Sequence, residues 1–155
     1  MSNVSAFLHI EIVHPDPDSA ASFLEDVFDA RRVEKNLCDY VEGILPETRL
    51  VHVLMGNVVL QLVKPDENLA SWKDQLESTG PGVHNISIQV DNMDAIEKTM
   101  LERGCNIYSD MVVDLREAGV DCPAPMRALN IDAREYCGLR FEMLPKEYGY
   151  QLPKK

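Results

Sequence analysis

The sequence predicts an α+β fold: two βαβββ modules forming a cup-shaped mixed sheet, within a single domain spanning 1–155. Three observations predict it. The order strand–helix–strand–strand–strand occurs twice along the 155 residues. In each half, a capping aspartate directly behind an alternating strand announces the helix. A breaker, Gly80-Pro81-Gly82, stands between the halves. The first module covers 5–65, a connector 66–82, and the second module 83–147.

The first strand, Phe7 to Val13, alternates. Leu8, Ile10 and Ile12 share one face, and His9, Glu11 and Val13 the other. Asp16 as N-cap with Pro17 at the first helical position opens a helix, with Phe23, Leu24, Val27 and Phe28 as its apolar stripe. Strands follow near 31–35, 49–55 and 58–64, the last two joined by the turn Gly56-Asn57. The connector carries a short helix. Beyond it the pattern restarts, with His84, Ile86, Ile88 and Val90 on one strand face and Asn85, Ser87 and Gln89 on the other. Asp91 is expected to cap a second helix, which buries Met93, Ile96, Met100 and Leu101 and stops at Gly104. Strands are expected near 105–108, 126–131 and 138–144. An irregular stretch at 110–125 contains Asp114, Arg116, Glu117 and Pro123-Ala124-Pro125, and is where specificity is expected to be set. Residue identity between the halves is poor, so the repeat is one of pattern.

Composition narrows the partners. Hydrophobic residues make up 45%, enough for a packed core, and the formal net charge is -11. That charge argues against nucleic acid and anionic membranes. It also disfavours a highly anionic substrate unless a local basic cluster, such as Arg31, Arg32 and Lys35, receives it. No apolar run is long enough to span a membrane, and the expectation is a cytoplasmic protein. Cys38, Cys105, Cys122 and Cys137 have no C-x-x-C spacing and read as separate thiols.

Strand parity then selects the polar residues. If apolar positions face the helices, the alternate ones face the cup. This gives His9 and Glu11 on the first strand, Gln61 on the fourth, Asn85, Ser87 and Gln89 on the fifth, and Arg140 and Glu142 on the eighth. The third strand, with Leu50, His52 and Leu54 opposite Val51, Val53 and Met55, is apolar on both faces. Parity alone does not orient it. One imidazole, two amides and a carboxylate from four strands make an oxygen-rich set suited to a divalent cation.

The segments Asp66-Glu67-Asn68-Leu69-Ala70-Ser71-Trp72, Gly82-Val83-His84-Asn85-Ile86, Val90-Asp91-Asn92-Met93-Asp94-Ala95 and Gly138-Leu139-Arg140-Phe141-Glu142 resemble the vicinal-oxygen-chelate (glyoxalase/bleomycin-resistance/dioxygenase) superfamily over nearly the whole chain. Within it the chain looks most like the methylmalonyl-CoA epimerases. The resemblance implies a metal site of His9, Gln61 and Glu142. Asn85 stands where the family has a ligand histidine, the second of a His-His pair. An amide oxygen suits Mg²⁺, Mn²⁺ or Co²⁺ better than Zn²⁺ or Ni²⁺, and a structural or substrate-binding role for Asn85 stays open. On the third strand, His52 stands where the family has a proton-transferring Glu. The resemblance thus implies His52 and Glu142 as the catalytic pair, with Glu11, Ser87, Gln89 and Arg140 against the substrate.

The cofactor the resemblance implies is a divalent ion, with Co, Mn, Mg, Ni and Zn undistinguished. The activity implied is a metal-dependent epimerase or isomerase acting beside a carbonyl or acyl-thioester, in a homodimer. The alternatives are a glyoxalase-type lyase and a non-catalytic protein that sequesters small molecules. His14 is expected on the surface and His84 at the core edge.

Overall fold

The computed structural model describes residues 4–33, 47–114, 116 and 125–147. The fold is α+β. The chain divides into two compact units, one containing His9–His84 and the other Met1–Leu8 with Asn85–Gly149.

The unit of His9–His84 holds β1 (Val4–Val13, from His9 onward), α1 (Pro17–Phe28), β2 (Arg31–Arg32), β3 (Arg49–Met55), β4 (Val58–Lys64) and α2 (Ala70–Ser78). Its strands lie in the order β2-β3-β4-β1. β1 runs parallel to β4, and the other pairs are antiparallel. Asp16 caps α1 as expected: its side chain accepts from the Ser19 amide at 3.0 Å, with Pro17 leading the helix. The tight turn between β3 and β4 places Gly56 at φ 62, where a side chain would be strained.

The expected α1 stripe is corrected. Phe23, Val27 and Phe28 are 59%, 54% and 57% exposed. The buried side is Pro17 and Ala21, with Ala20 and Leu24 packed beside it. These small side chains let the helix lie close on Val51, Val53 and Leu62. That contact also settles the third strand. Val51, Val53 and Met55 face the helix, so Leu50, His52 and Leu54 face away from it.

β2 is shorter than expected, and 34–35 lie outside the described residues. Within the basic cluster, Arg31 is exposed and Arg32 is spent on the fold. Arg32 pairs with Asp18 at 2.6 Å and Glu25 at 3.3 Å, and Lys35 lies outside the described residues. Hydrogen bonds from Arg49 and Arg32 hold the Asp18 carboxyl down at about 2.

The second unit carries β5 (Gly82–Val90, from Asn85 onward), α3 (Met93–Glu102), β6 (Asn106–Val113), β7 (Met126–Ala133), α4 (Arg134–Cys137) and β8 (Leu139–Pro145). The strand order β5-β8-β7-β6 repeats that of the first unit, with β5 parallel to β8 and the rest antiparallel. Its core is Val90, Cys105, Leu129, Ile131, Ala133 and Met143, against which Met93, Ile96 and Met100 of α3 pack.

Four expectations change here. The N-cap is Asn92, whose side chain accepts from the Ala95 amide at 3.0 Å; Asp91 instead accepts from Ser5 Oγ at 2.8 Å. Leu101 is 45% exposed, one step off the Met93–Ile96–Met100 face. β6 extends to Val113 because it keeps its pairing with β7 that far, so the expected irregular stretch begins as strand. α4, one short turn closed by Gly138 at φ 76, was not foreseen. Cys38, Glu117, Cys122, Pro123 and Ala124 lie outside the described residues. Among the described residues no helix is long and apolar enough to cross a membrane.

Candidate functional site

In the first unit, four polar side chains occupy the sheet face turned away from α1. His9 (2% exposed) and Glu11 (5%) stand two apart on β1, on one face by strand alternation. Glu11 is in register with Gln61 of β4, and Gln61 with His52 of β3. His52–Gln61–Glu11 is therefore one row across three strands. His9 joins it, with its ring centroid 5.6 Å from that of His52 in an edge-on arrangement.

The Gln61 amide nitrogen donates to His52 Nε2 at 2.8 Å. That bond makes His52 the Nδ1–H tautomer and turns the Gln61 carbonyl oxygen to other uses. Burial, then the nearby His9, lowers the His52 pKa from 6.5 to about 3. His52 is thus a neutral imidazole throughout the physiological range.

The connector helix α2 closes this face. The indole N–H of Trp72, itself buried, donates to a Glu11 carboxylate oxygen. The Trp72 ring stacks on His84, with centroids 4.4 Å apart and planes at 23°. His84 Nδ1 bonds Gln75 Oε1 at 2.9 Å. His84 is thus a buried structural residue, packed by the connector helix. His14 is half-buried, and its Nδ1 accepts from the Asp16 amide at 3.0 Å.

The second unit brings together a second polar set. Ser87, Glu142 and Asn130 are in register across β5, β8 and β7. Ser87 and Asn130 are fully buried, and Glu142 is half-buried. Ser87 Oγ and Asn130 Nδ2 are buried without a hydrogen-bond partner among the described residues. Such atoms cost about 1–3 kcal/mol unless something else satisfies them, as a polar ligand would. Asn85 is buried one residue pair before Ser87, and by alternation shares its face.

Arg140 lies over the Tyr108 ring at 5.1 Å and reaches Asp132 at 3.5 Å. Asp132 is held at about 2, chiefly by its hydrogen bonds from Arg134. The β6–β7 register shifts between Ile107 and Ser109, and this bulge frees Tyr108 to send its hydroxyl to Asn130 Oδ1 at 3.4 Å. Gln89 lies at the strand end with its amide on the Lys146 carbonyl, 3.2 Å away. It belongs to the sheet margin rather than to this polar row.

Sequence reasoning missed Trp72, Tyr108 and Asn130. Asn130 was findable: it interrupts the apolar run Ala128–Ile131 and takes the same parity opposite Glu142. Trp72 carries no such signal, because its partner Glu11 is 61 residues away.

The first unit's donors fit a divalent ion. His9 and Glu11 offer ligand atoms within 4.8 Å of one another, and the Gln61 carbonyl lies in the adjacent strand at the register of Glu11. Imidazole with oxygen donors is a set that Mn²⁺ or Co²⁺ accepts.

Residues 8–121 match the family model of the Glyoxalase/Bleomycin resistance protein/Dioxygenase superfamily. The chain belongs to this superfamily. No curated protein matches the sequence. Among solved structures, a methylmalonyl-CoA epimerase from Mycobacterium tuberculosis is similar at 20% identity and a TM-score of 0.63, covering 93% of this chain and 89% of that one. A hypothetical protein from Bacillus halodurans C-125 is similar at 15% identity and a TM-score of 0.64, over 95% of this chain and 98% of the other. A Streptomyces coelicolor methylmalonyl-CoA epimerase variant in complex with 2-nitronate-propionyl-CoA aligns at 17% identity and a TM-score of 0.63, over 92% and 97%. At such identities the likeness establishes the fold of this superfamily member.

Proposed function

We propose that this superfamily member is a divalent-metal-dependent epimerase or isomerase acting on a carbon next to a carbonyl or acyl-thioester. One observation carries the reading: the face of β1, β3 and β4 turned away from α1 buries His9, Glu11 and His52 around a half-buried Gln61, where a purely structural sheet would bury aliphatic side chains. In the metal set implied by the family resemblance, His9, Gln61 and Glu142 hold the ion, with Asn85 at the fifth-strand position. When bound, the ion would draw electron density from a carbonyl oxygen and so acidify the adjacent C–H.

The protein's own groups then have distinct tasks. Glu142, a carboxylate, takes the proton. His52, neutral and with Nε2 engaged by Gln61, stands at the position where the resemblance puts the second proton-transferring group. Ser87 and Arg140 orient the substrate, Ser87 through a buried hydroxyl and Arg140 through a guanidinium steadied on Tyr108. The same reading carries from the resemblance a cytosolic homodimer, which sedimentation equilibrium checks for stoichiometry.

The test is α-deuterium exchange into methylmalonyl-CoA in deuterated water with added Mn²⁺ or Co²⁺. Exchange above the protein-free rate is expected, with H52Q and E142Q each reduced about a hundredfold or more. Absence of exchange with every metal tried overturns the epimerase assignment.

A second reading, a sequestering protein of the same fold, is favoured by Asn85 at the family's histidine position. Metal analysis of untagged protein separates the two. Stoichiometric metal supports the enzyme, and none at any added concentration supports sequestration. A glyoxalase-type lyase would bind metal yet leave the acyl-CoA unexchanged.

A further inference from the structure

The ligand set implied by the resemblance leaves one weak donor in this chain. Where the family pattern has an imidazole, Asn85 offers an amide, a poorer donor for a transition metal. Glu11 answers that shortfall. It follows His9 by two residues on the same strand face, and the two offer ligand atoms within 4.8 Å of each other. It is in register with Gln61, so His9, Glu11 and Gln61 lie on one face of two adjacent parallel strands. Its carboxylate is 5% exposed, an environment that favours a bound cation over hydration.

The surroundings of Glu11 match a ligand's outer shell. Trp72 donates its indole N–H to one carboxylate oxygen, which fixes the carboxylate's rotation. Trp72 is itself fixed by stacking on His84, which Gln75 orients. Trp72 and Gln75 of the connector helix, with His84 of β5 between them, thus fix the carboxylate's direction, as outer groups do around a metal ligand.

We infer that Glu11 is a metal ligand, supplying the donor that the fifth-strand histidine provides in the pattern this chain resembles, and that Trp72 is its positioning residue. This rests on the divalent-metal reading above. A carboxylate added to the imidazole and amide of the same unit shifts preference toward Mn²⁺ and Co²⁺.

Trp72 is the chain's only tryptophan, so its fluorescence reports on Glu11 directly. The experiment titrates MnCl₂ into the full chain after removal of metal with EDTA. Bound Mn²⁺ is counted by electron paramagnetic resonance, and tryptophan emission is recorded in parallel. The wild type is expected to bind one Mn²⁺ per chain with a change in emission over the same concentration range. E11Q, whose amide oxygen still accepts from the indole, should bind at least about tenfold more weakly, and W72F about tenfold more weakly at unchanged stoichiometry.

If the wild type binds and E11Q matches it within twofold, Glu11 is not a ligand and only this inference falls. If the wild type binds none of Mn²⁺, Co²⁺, Zn²⁺ or Ni²⁺, the metal reading falls with it. Should circular dichroism show E11Q unfolded, E11D carries the test: charge kept, reach shortened by one methylene, about tenfold loss expected. Unchanged affinity in E11D then overturns the assignment.

Discussion

Lowering the pH should destabilise this protein through one imidazole. His52 is 2% exposed, and burial with the nearby His9 sets its folded-state pKa at about 3. In the unfolded chain the same ring takes up a proton near its ordinary value of 6.5. The folded value is the lower one, so the unfolded state binds more protons between the two. Stability from this group is therefore fully present above 6.5 and is lost progressively as pH falls toward 3. Each unit of pH in that window costs about 1.4 kcal/mol, so the loss between 6.5 and 4 is on the order of 3 kcal/mol. That is a large share of the roughly 5–15 kcal/mol that holds a domain folded. Urea unfolding of metal-free wild type and H52Q at pH 7, 6, 5 and 4 measures it. The glutamine does not titrate, and carboxylates shared by both proteins cancel in the difference. Wild-type stability minus H52Q stability should fall by about 3 kcal/mol from pH 7 to pH 4. Two stability curves that stay parallel would refute the buried, unprotonated His52 described above.

Three further outcomes follow from packing. Gly104 sits at φ 86, and an added Cβ would approach the Tyr136 hydroxyl to 3.0 Å, so Gly104→Ala should cost about 1–3 kcal/mol in chemical unfolding. Gly56→Ala, at φ 62 with open space around it, should cost less than Gly104→Ala. Arg127 ties Glu97 of α3 and Asp110 of β6 to β7, each at 2.8 Å, and R127M should lower stability by roughly 1–2 kcal/mol, a loss that high salt reduces. On α1, Phe23→Ser should change stability by less than about 0.5 kcal/mol. Ala21→Leu, on the buried side, should cost about 1–3 kcal/mol by overpacking. The opposite ranking in thermal melts would restore the phenylalanine face as the core.

What could be read from the sequence follows from which signals are local. Alternation and caps act over a few residues, so β3 and β4 came out at 49–55 and 58–64 as observed, and Asp16 was found as a cap. The superfamily, too, was legible, because its segments lie along the chain in order. Local signals failed where two readings were equally apolar. On α1 the larger side chains, Phe23, Val27 and Phe28, looked like the core stripe, yet the sheet accepts the small Ala20 and Ala21 side instead. Periodicity names an apolar face but carries no information on how closely a helix must approach its sheet. On β3 both faces were apolar, and only the contact of Val51 and Val53 with α1 assigns His52 to the other side.

The candidate site shows the same division more sharply. Parity brought His9, Glu11 and Gln61 to one face, since strand alternation is a property of each strand alone. It could not tell a ligand from a bystander, because that depends on what stands behind each side chain. Glu11 was read as a substrate contact, and Trp72 as part of a family-like connector. Seen together, the indole N–H directed at a buried carboxylate changes the weight of both residues. On the inference that Glu11 is a ligand, the donor is relocated from β5 to β1, two residues from His9, and a carboxylate replaces an imidazole. Such a relocation predicts coupled losses. Removing the indole N–H should weaken metal binding through Glu11 alone, so W72F and E11Q combined should cost little more than E11Q by itself. Additive losses in that double-mutant cycle would mean that Trp72 acts on the fold and not on the carboxylate.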